Sequence, residues 1–149
     1  MIENVKTEYA MTLVGEINAP VAINNRLIFN VLRGNFEGPG ITGEMQQPAG
    51  DWIQVMPNGH WRLDVRFTIL LDDGNHAYVN YSGVVHMNES FQARIGAGET
   101  ITGDEIYFRS APYIETNSEK YAWLNEYVFI GKLRTFGGGK VIYDIFKVL

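Results

Sequence analysis

The chain contains no cysteine. That single absence removes disulfide frameworks, zinc–thiolate centres and thiol nucleophiles together. Histidine is nearly as scarce. His60, His76 and His86 are spaced so that no two form a His-x-His or His-x-x-x-His pair on one element, and no metal site is expected. Basic residues are few and dispersed, 12 Lys plus Arg against 17 Asp plus Glu, for a net charge of -5. A phosphate-backbone platform needs the opposite balance, so no nucleic-acid partner is expected. No apolar run approaches the roughly 20 residues that cross a bilayer as a helix, so no membrane partner is expected. The stretch Met1–Tyr9 carries Glu3 and Glu8 and no apolar segment, unlike a secretion signal. A cytoplasmic location is expected, and the acceptor patterns Asn80-Tyr-Ser82 and Asn88-Glu-Ser90 read as chance matches. Gly96-Ala-Gly98 lacks the third glycine of a dinucleotide fingerprint, and Ser82 sits in Tyr-Ser-Gly rather than a Gly-x-Ser-x-Gly elbow. No cofactor is expected.

What is present suits a packed domain. Apolar residues make up 46% of the chain and charged ones 19%, which argues against disorder. The length fits one domain, residues 1–149. Segments rich in Val, Ile, Thr, Phe and Tyr alternate with Gly, Pro, Asn and Asp clusters, the pattern of strands and turns. Nine strands are predicted: Glu8–Ile17, Arg26–Arg33, Gly40–Gln46, Trp52–Met56, His60–Asp72, His76–Val85, Glu105–Glu115, Tyr127–Thr135 and Lys140–Val148. Asn58-Gly59 and Asp73-Gly74 favour tight hairpins, because both central turn positions need positive φ. Met87–Gly103 is the best helix-and-loop segment, with Asn88 or Ser90 as the cap. A second turn is placed at Ser118–Asn125. Many strands, short turns and little helix give an all-β fold, a sandwich or barrel. Frequent Gly residues favour a single antiparallel β-barrel of about eight to nine strands with one short helix or loop segment.

Several motifs together resemble a known family. They are Gly34-Asn-Phe-Glu-Gly-Pro39, Gly50-Asp-Trp52, Leu63-Asp-Val-Arg-Phe67 with Asp72-Asp-Gly74, Tyr107-Phe-Arg109 with Pro112-Tyr-Ile-Glu-Thr116, and Tyr121-Ala-Trp-Leu-Asn125. In combination, from about Tyr9 to Leu149, they resemble the family called domain of unknown function 3237. The resemblance implies a barrel similar to those of allene oxide cyclase and dirigent proteins, and a homodimer. It implies no settled activity and no catalytic residue. It marks Glu37, Asp51, Trp52, Asp64, Arg66, Arg109, Glu115, Trp123 and Asn125 as motif positions.

Side chains two apart share one face of a strand. On His60–Asp72, Trp61, Leu63, Val65, Phe67 and Ile69 form an apolar face, and His60, Arg62, Asp64, Arg66 and Thr68 form a charged one. The charged face has two readings. It is either a solvated outer wall with a weak Asp64–Arg66 pair, or a polar lumen where an acid and a guanidinium act on a ligand. The second reading needs the apolar face covered by a helix or a second subunit. On Glu105–Glu115, Tyr107, Arg109, Tyr113 and Glu115 share a face, either a polar, aromatic pocket wall or an amphipathic exterior. Tyr78 and Asn80 on the neighbouring strand join Asp64 and Arg66 if the register aligns them. Glu37 is either an acid at the barrel mouth or a fastener of the Gly-rich turn. Trp52, Trp61 and Trp123 suit core or pocket wall.

Three functions compete. In the first, the barrel is a cofactor-independent isomerase, cyclase or lyase. It works by acid/base chemistry on an aromatic or hydrophobic carbonyl metabolite, with Asp64, Arg66 and Arg109 as the reacting groups. Glu37, Trp52, Tyr78, Asn80, Tyr107, Tyr113, Glu115 and Trp123 then bind the ligand. In the second, the barrel binds a hydrophobic small molecule without turnover. In the third, side chains fill it and nothing binds. An interior cavity separates the third from the others. Strand edges and a spare apolar face are usually covered, which is the residue-level motive for expecting a homodimer.

Overall fold

Apolar residues recur at every second position through most of the chain. The structure, a computed structural model describing residues 1–149, turns that alternation into ten strands. In chain order they are β1 (Thr7–Ile17), β2 (Val21–Ile23), β3 (Arg26–Gly38), β4 (Ile41–Val55), β5 (Trp61–Leu71) and β6 (His76–Val85). Helix α1 (Glu89–Gly96) follows, then β7 (Ile101–Thr102), β8 (Phe108–Thr116), a 3-10 turn at Ala122–Asn125, β9 (Phe129–Gly137) and β10 (Lys140–Val148).

Eight of the strands form a closed antiparallel barrel in the order β1-β10-β9-β8-β6-β5-β4-β3, and β1 pairs β3 to close it. The two short strands lie off the ring, β2 on β3 and β7 on β9. Closure gives each barrel strand two neighbours and removes the open edges that would otherwise recruit another chain. An eight-stranded barrel has an interior just wide enough for side chains or one small ligand.

The predicted hairpins form where expected. Gly59 and Gly74 sit at φ 88° and 87°, a region in which a Cβ is strained. The observed β6 and β10 match the predicted ranges, and α1 is capped by Asn88, whose Oδ1 accepts from the Phe91 amide at 2.8 Å. One prediction fails instructively. Pro48-Ala-Gly50 reads as a turn between two strands, but β4 runs through it as one 15-residue strand. The β4 ladders shift there against both neighbours, between Gln46 and Gly50 on the β5 side and between Asn30 and Asn35 on the β3 side. The break is therefore a bulge. Gln47 pins it, its Nε2 donating to the Val31 carbonyl at 2.7 Å and its Oε1 accepting from the Ala49 amide at 3.2 Å.

The two ends of the barrel differ. At one, the 3-10 turn packs Leu124 into the core and the preceding Tyr121 is buried beside it. Tyr121 donates to Asp72 Oδ1 at 2.7 Å, and Lys120 reaches the same carboxylate at 3.0 Å. Both bonds, the Tyr121 bond first, hold the Asp72 carboxyl below the usual range. At the other end lie the β2 hairpin, α1 and Gly137–Gly139.

Helix α1 buries no residue of its own. Arg94 tethers it, at 2.8 Å from Glu105 and 3.8 Å from Glu99. Exposed pairs of this kind add little global stability. Arg94→Ala is therefore expected to leave the melting temperature nearly unchanged while amide exchange across Phe91–Gly98 speeds several-fold. Unchanged exchange there would show that the tether is dispensable.

Candidate functional site

Alternation decides which side chains enter the barrel. Along β5, Trp61, Leu63, Val65, Phe67, Ile69 and Leu71 are buried and point inward. The lumen is the hydrophobic core, so the apolar face of β5 needs no helix or second subunit to cover it. Asp64 and Arg66 therefore lie on the outer wall, 3.4 Å apart with side chains 48% and 61% exposed.

The register does align the residues singled out from the sequence, but on that outer wall. Arg66 sits opposite Asn80, Asn80 opposite Tyr113, and Tyr78 opposite Glu115. Tyr113 donates to Glu115 Oε2 at 2.6 Å. Trp52 borders a shallow surface groove with Arg26, Ile28, Asp64 and Arg66. Tyr107 stacks on His86, His86 stacks on His60, each pair with ring centres 4.4 Å apart, and the Arg109 guanidinium lies 5.2 Å from the Tyr107 ring. The fold thus brings together two histidines that the sequence separates. No group of three or more His, Asp or Glu gathers into a metal-like cluster. Glu37 is exposed on β3 near the Gly38–Ile41 hairpin, at the end away from the β2 hairpin, and accepts from Asn35 Nδ2 at 2.6 Å. Trp123 lies in the 3-10 turn, with Lys147 Nζ 5.1 Å from its ring. None of these eleven residues lines the lumen cavity.

That cavity, of about 40 Å³, lies inside the barrel. Nine of its lining residues are apolar aliphatic or Phe side chains, and the other three are Asp51, Tyr81 and Tyr143. Asp51 is carried on β4 in phase with Ala49 and Ile53, and its neighbours across the sheet, Phe29 on β3 and Val65 on β5, are both buried. Tyr81 is the next residue along the same row, opposite Val65 on β6. Tyr143 enters from β10, with its ring 5.9 Å from that of Tyr81 and edge-on to it. Asp51 is half-buried, as a residue lining an open cavity is. Its Oδ1 accepts from the backbone amide of Asp64 at 3.1 Å.

The apolar surroundings set the acidity of this group. Burial raises the Asp51 pKa from 3.8 to about 7. The Asp64 amide bond pulls it back down, and the Asp64 carboxylate across the sheet adds a smaller push upward. Asp51 is thus near half protonation at neutral pH, where a carboxyl can both take and give a proton. Burial, with Asp51 and the neighbouring phenol adding to it, also holds the Tyr143 hydroxyl well above its ordinary pKa. Tyr81 is raised by burial first and Asp51 second. Both phenols stay protonated and available as donors. The Tyr143 hydroxyl is buried, in a residue 3% exposed, with no hydrogen-bond partner in the protein.

A cleft of about 610 Å³ opens at the end of the barrel that carries α1. It shares the lining residues Ile17, Phe29 and Phe136 with the lumen cavity, so the two are neighbours on either side of those side chains. Trp61, Leu27, Val55 and Ile95 of α1 form its apolar walls, and Asn18 and Gln92 supply side-chain polar groups. The volume is that of a small-molecule site. A larger depression, about 700 Å³, lies outside the barrel around Glu16 and Arg33, which pair with each other at 2.8 Å. Nine of its twelve lining residues are not hydrophobic, which suits a solvated surface better than an enclosed site.

Sequence reasoning named Asp51 as a motif position but not as a site residue. The signal was present. In Ala49-Gly-Asp-Trp-Ile-Gln-Val55 the acid falls on the apolar phase of the strand, where a carboxylate is costly unless it serves a purpose. Tyr81 and Tyr143 sit likewise in phase with Val79 and Ile145.

Comparisons with known proteins agree with this architecture. UPF0311 protein RPA1785 of Rhodopseudomonas palustris is 28% identical over the full length of both chains. The crystal structure of that conserved protein of unknown function superposes with a TM-score of 0.92 and full coverage of both chains. A beta-barrel like protein of Acinetobacter baumannii is 26% identical, with a TM-score of 0.78, covering 100% of this chain and 99% of its own. An enzyme of Penicillium herquei, 15% identical, shares the fold with a TM-score of 0.70, covering 100% and 98% of the two chains. The family described as "Protein of unknown function (DUF3237)" matches residues 5–148, and the chain belongs to that family.

Proposed function

We propose that the barrel is a small-molecule site in which Asp51 carries out proton transfer on a mainly apolar carbonyl compound. The observation behind this reading is a carboxyl group poised near pH 7 inside an otherwise apolar cavity, beside a phenol with no partner. A strongly perturbed acid facing a cavity marks a candidate functional site. Here the geometry adds a neighbouring cleft of ligand size and a hydrogen-bond donor in the same cavity.

In this reading the ligand's ring or chain fills the cleft and its carbonyl reaches the lumen. Asp51 as carboxylate removes a proton from the carbon next to the carbonyl. The electron pair of that C–H bond moves onto the carbonyl oxygen, where Tyr143 donates to the developing negative charge. Where a carbon–carbon double bond lies next to the deprotonated carbon, Asp51, now a carboxylic acid, returns the proton to the far end of the extended enolate, and the outcome is an isomerisation. Where the carbon beyond carries a leaving group, the enolate re-forms the carbonyl and expels that group with its bonding pair, Asp51 gives it the proton, and the outcome is an elimination. Binding without turnover uses the same contacts and is favoured if Asp51 exchanges no proton with ligand carbon.

The test uses a panel of aryl ketones, with affinity read at pH 7 and exchange of the α-hydrogens followed in deuterium oxide. Asp51→Asn is expected to abolish exchange, because an amide cannot take the proton, while binding changes little, because asparagine can donate to the carbonyl as the protonated carboxyl does. Asp64→Asn, on the outer wall, is expected to change both by less than about twofold, as a solvated charge does. Loss of exchange in Asp64→Asn with retention in Asp51→Asn would return the chemistry to the outer wall. Binding without any exchange in the unaltered protein would leave a binding module.

A further inference from the structure

Two side-chain polar atoms in the protein are buried without a hydrogen-bond partner, the Tyr143 hydroxyl and the Trp61 indole N–H. Leaving such a donor unpaired inside a protein is costly, and native structures rarely tolerate it without a reason. Tyr143 lines the lumen cavity and Trp61 the cleft beside it. Trp61, 4% exposed at the start of β5, stands in the wall of the cleft.

The wall between the two donors is aromatic. The Trp61 ring lies 6.4 Å from Phe136, Phe136 lies 6.1 Å from Phe108, and Phe108 lies 5.2 Å from Tyr143. On its other side Trp61 is 6.4 Å from Phe29, which lines both cavity and cleft. Ring faces and edges at these separations favour a flat aromatic guest. An indole N–H can only donate, so it is satisfied by an acceptor and by nothing else.

We propose that Trp61 is a specificity-determining residue whose indole N–H donates to a second acceptor oxygen on the ligand, remote from the carbonyl that Tyr143 holds. The ligand class is then a flat aromatic ketone with an ether, hydroxyl or carbonyl oxygen at its far end. This rests on the reading of the lumen as a binding site, and the experiment separates the two.

Two probes of nearly the same shape are titrated into the full chain at pH 7: 2-acetyl-6-methoxynaphthalene and 2-acetyl-6-ethylnaphthalene. They differ in one acceptor oxygen. The unaltered protein is expected to bind the methoxy ketone about tenfold tighter, the usual worth of one buried hydrogen bond. Trp61→Phe keeps an apolar ring and loses the donor. It is expected to bind the two ketones equally, whatever its smaller ring costs both of them in packing. In the unaltered protein the Trp61 indole N–H resonance, identified by elimination with Trp52→Phe and Trp123→Phe, is expected to shift with the methoxy ketone and not with the ethyl one. Should Trp61→Phe fail to fold, that resonance decides the question alone. Equal affinity for both ketones in the unaltered protein would overturn the role of Trp61, as would a tenfold preference that survives in Trp61→Phe. Either result leaves the lumen site standing if Tyr143→Phe still weakens both ketones alike. No saturable binding of either ketone would overturn the inference and the lumen reading together.

Discussion

Replacing Asp51 with Asn is expected to raise the melting temperature by about 10 °C near pH 8.5 and to leave it almost unchanged near pH 4. The direction follows from linkage. Asp51 has its pKa raised from 3.8 to about 7 in the folded chain. The folded state therefore holds a proton that the unfolded state has released anywhere between those two values. This group's contribution to stability is fully present below the lower value, declines as pH rises, and is gone above about 7. At pH 8.5 the folded protein carries a desolvated carboxylate, at a cost of up to about 4 kcal/mol relative to the unfolded chain. Asparagine removes the charge and still offers an oxygen to the Asp64 amide, which Asp51 Oδ1 engages at 3.1 Å. The same change is expected to abolish proton exchange on bound ketones. A substitution that stabilises the fold and disables the site is the signature of a residue kept for function. Thermal denaturation of both proteins across pH checks it, and a destabilised Asp51→Asn protein near pH 8.5 would mean that the carboxyl is not desolvated.

Other carboxyls act in the opposite sense, in a different window. Glu105 has its pKa lowered from 4.5 to about 2, by Arg94 first and then by the Thr102 amide and hydroxyl. A lowered acid contributes stability above its unfolded pKa and loses it as pH falls toward 2. The difference between the Asp51→Asn and unaltered proteins, rather than either curve alone, isolates Asp51.

Phe67→Ala is expected to cost about 3–5 kcal/mol and to lower the melting temperature by about 10 °C, whatever the pH. Phe67 is 2% exposed and packs edge-on against Phe36 at 6.1 Å and Tyr81 at 6.3 Å. It does not line the lumen cavity, which extends toward the cleft end of the barrel. The half of the interior around Phe67 is filled by side chains, so truncation there leaves a void lacking the contacts it had. Denaturant titration measures the loss. A cost below about 1 kcal/mol would mean that this half is loosely packed and that the cavity extends through it.

These two substitutions divide the barrel into a packed half and a half that holds the cavity, and only the first was legible from residue patterns. The strand rhythm, the Asn58-Gly59 and Asp73-Gly74 hairpins and the Asn88 cap are local features, and local rules read them correctly. The bulge at Gln47–Gly50 escaped because proline and glycine punctuate turns and bulges alike, and only the partner strands tell which is meant.

The site was harder to read because alternation identifies two faces without saying which one encloses a ligand. The charged row of Asp64 and Arg66 drew attention through its density of chemistry. In an eight-stranded barrel, however, the apolar phase points inward, and density of charge marks the solvent side. The informative residues were those that broke the apolar phase: Asp51 among Ala49 and Ile53, Tyr81 beyond Val79, Tyr143 before Ile145. Their convergence depends on pairing between β4, β5 and β6 and on the approach of β10 from across the barrel, which no single segment encodes.

The central claim is that Asp51 is a half-buried acid, desolvated by its apolar neighbours, that lines a ligand cavity. The most direct measurement is a carbon NMR titration of the side-chain carboxyls, with the Asp51 resonance assigned by its loss in Asp51→Asn. The account predicts a midpoint of about 7 for Asp51. Saturation with an aryl ketone that binds the lumen should displace that midpoint. A midpoint near 4, unmoved by such a ketone, would contradict it.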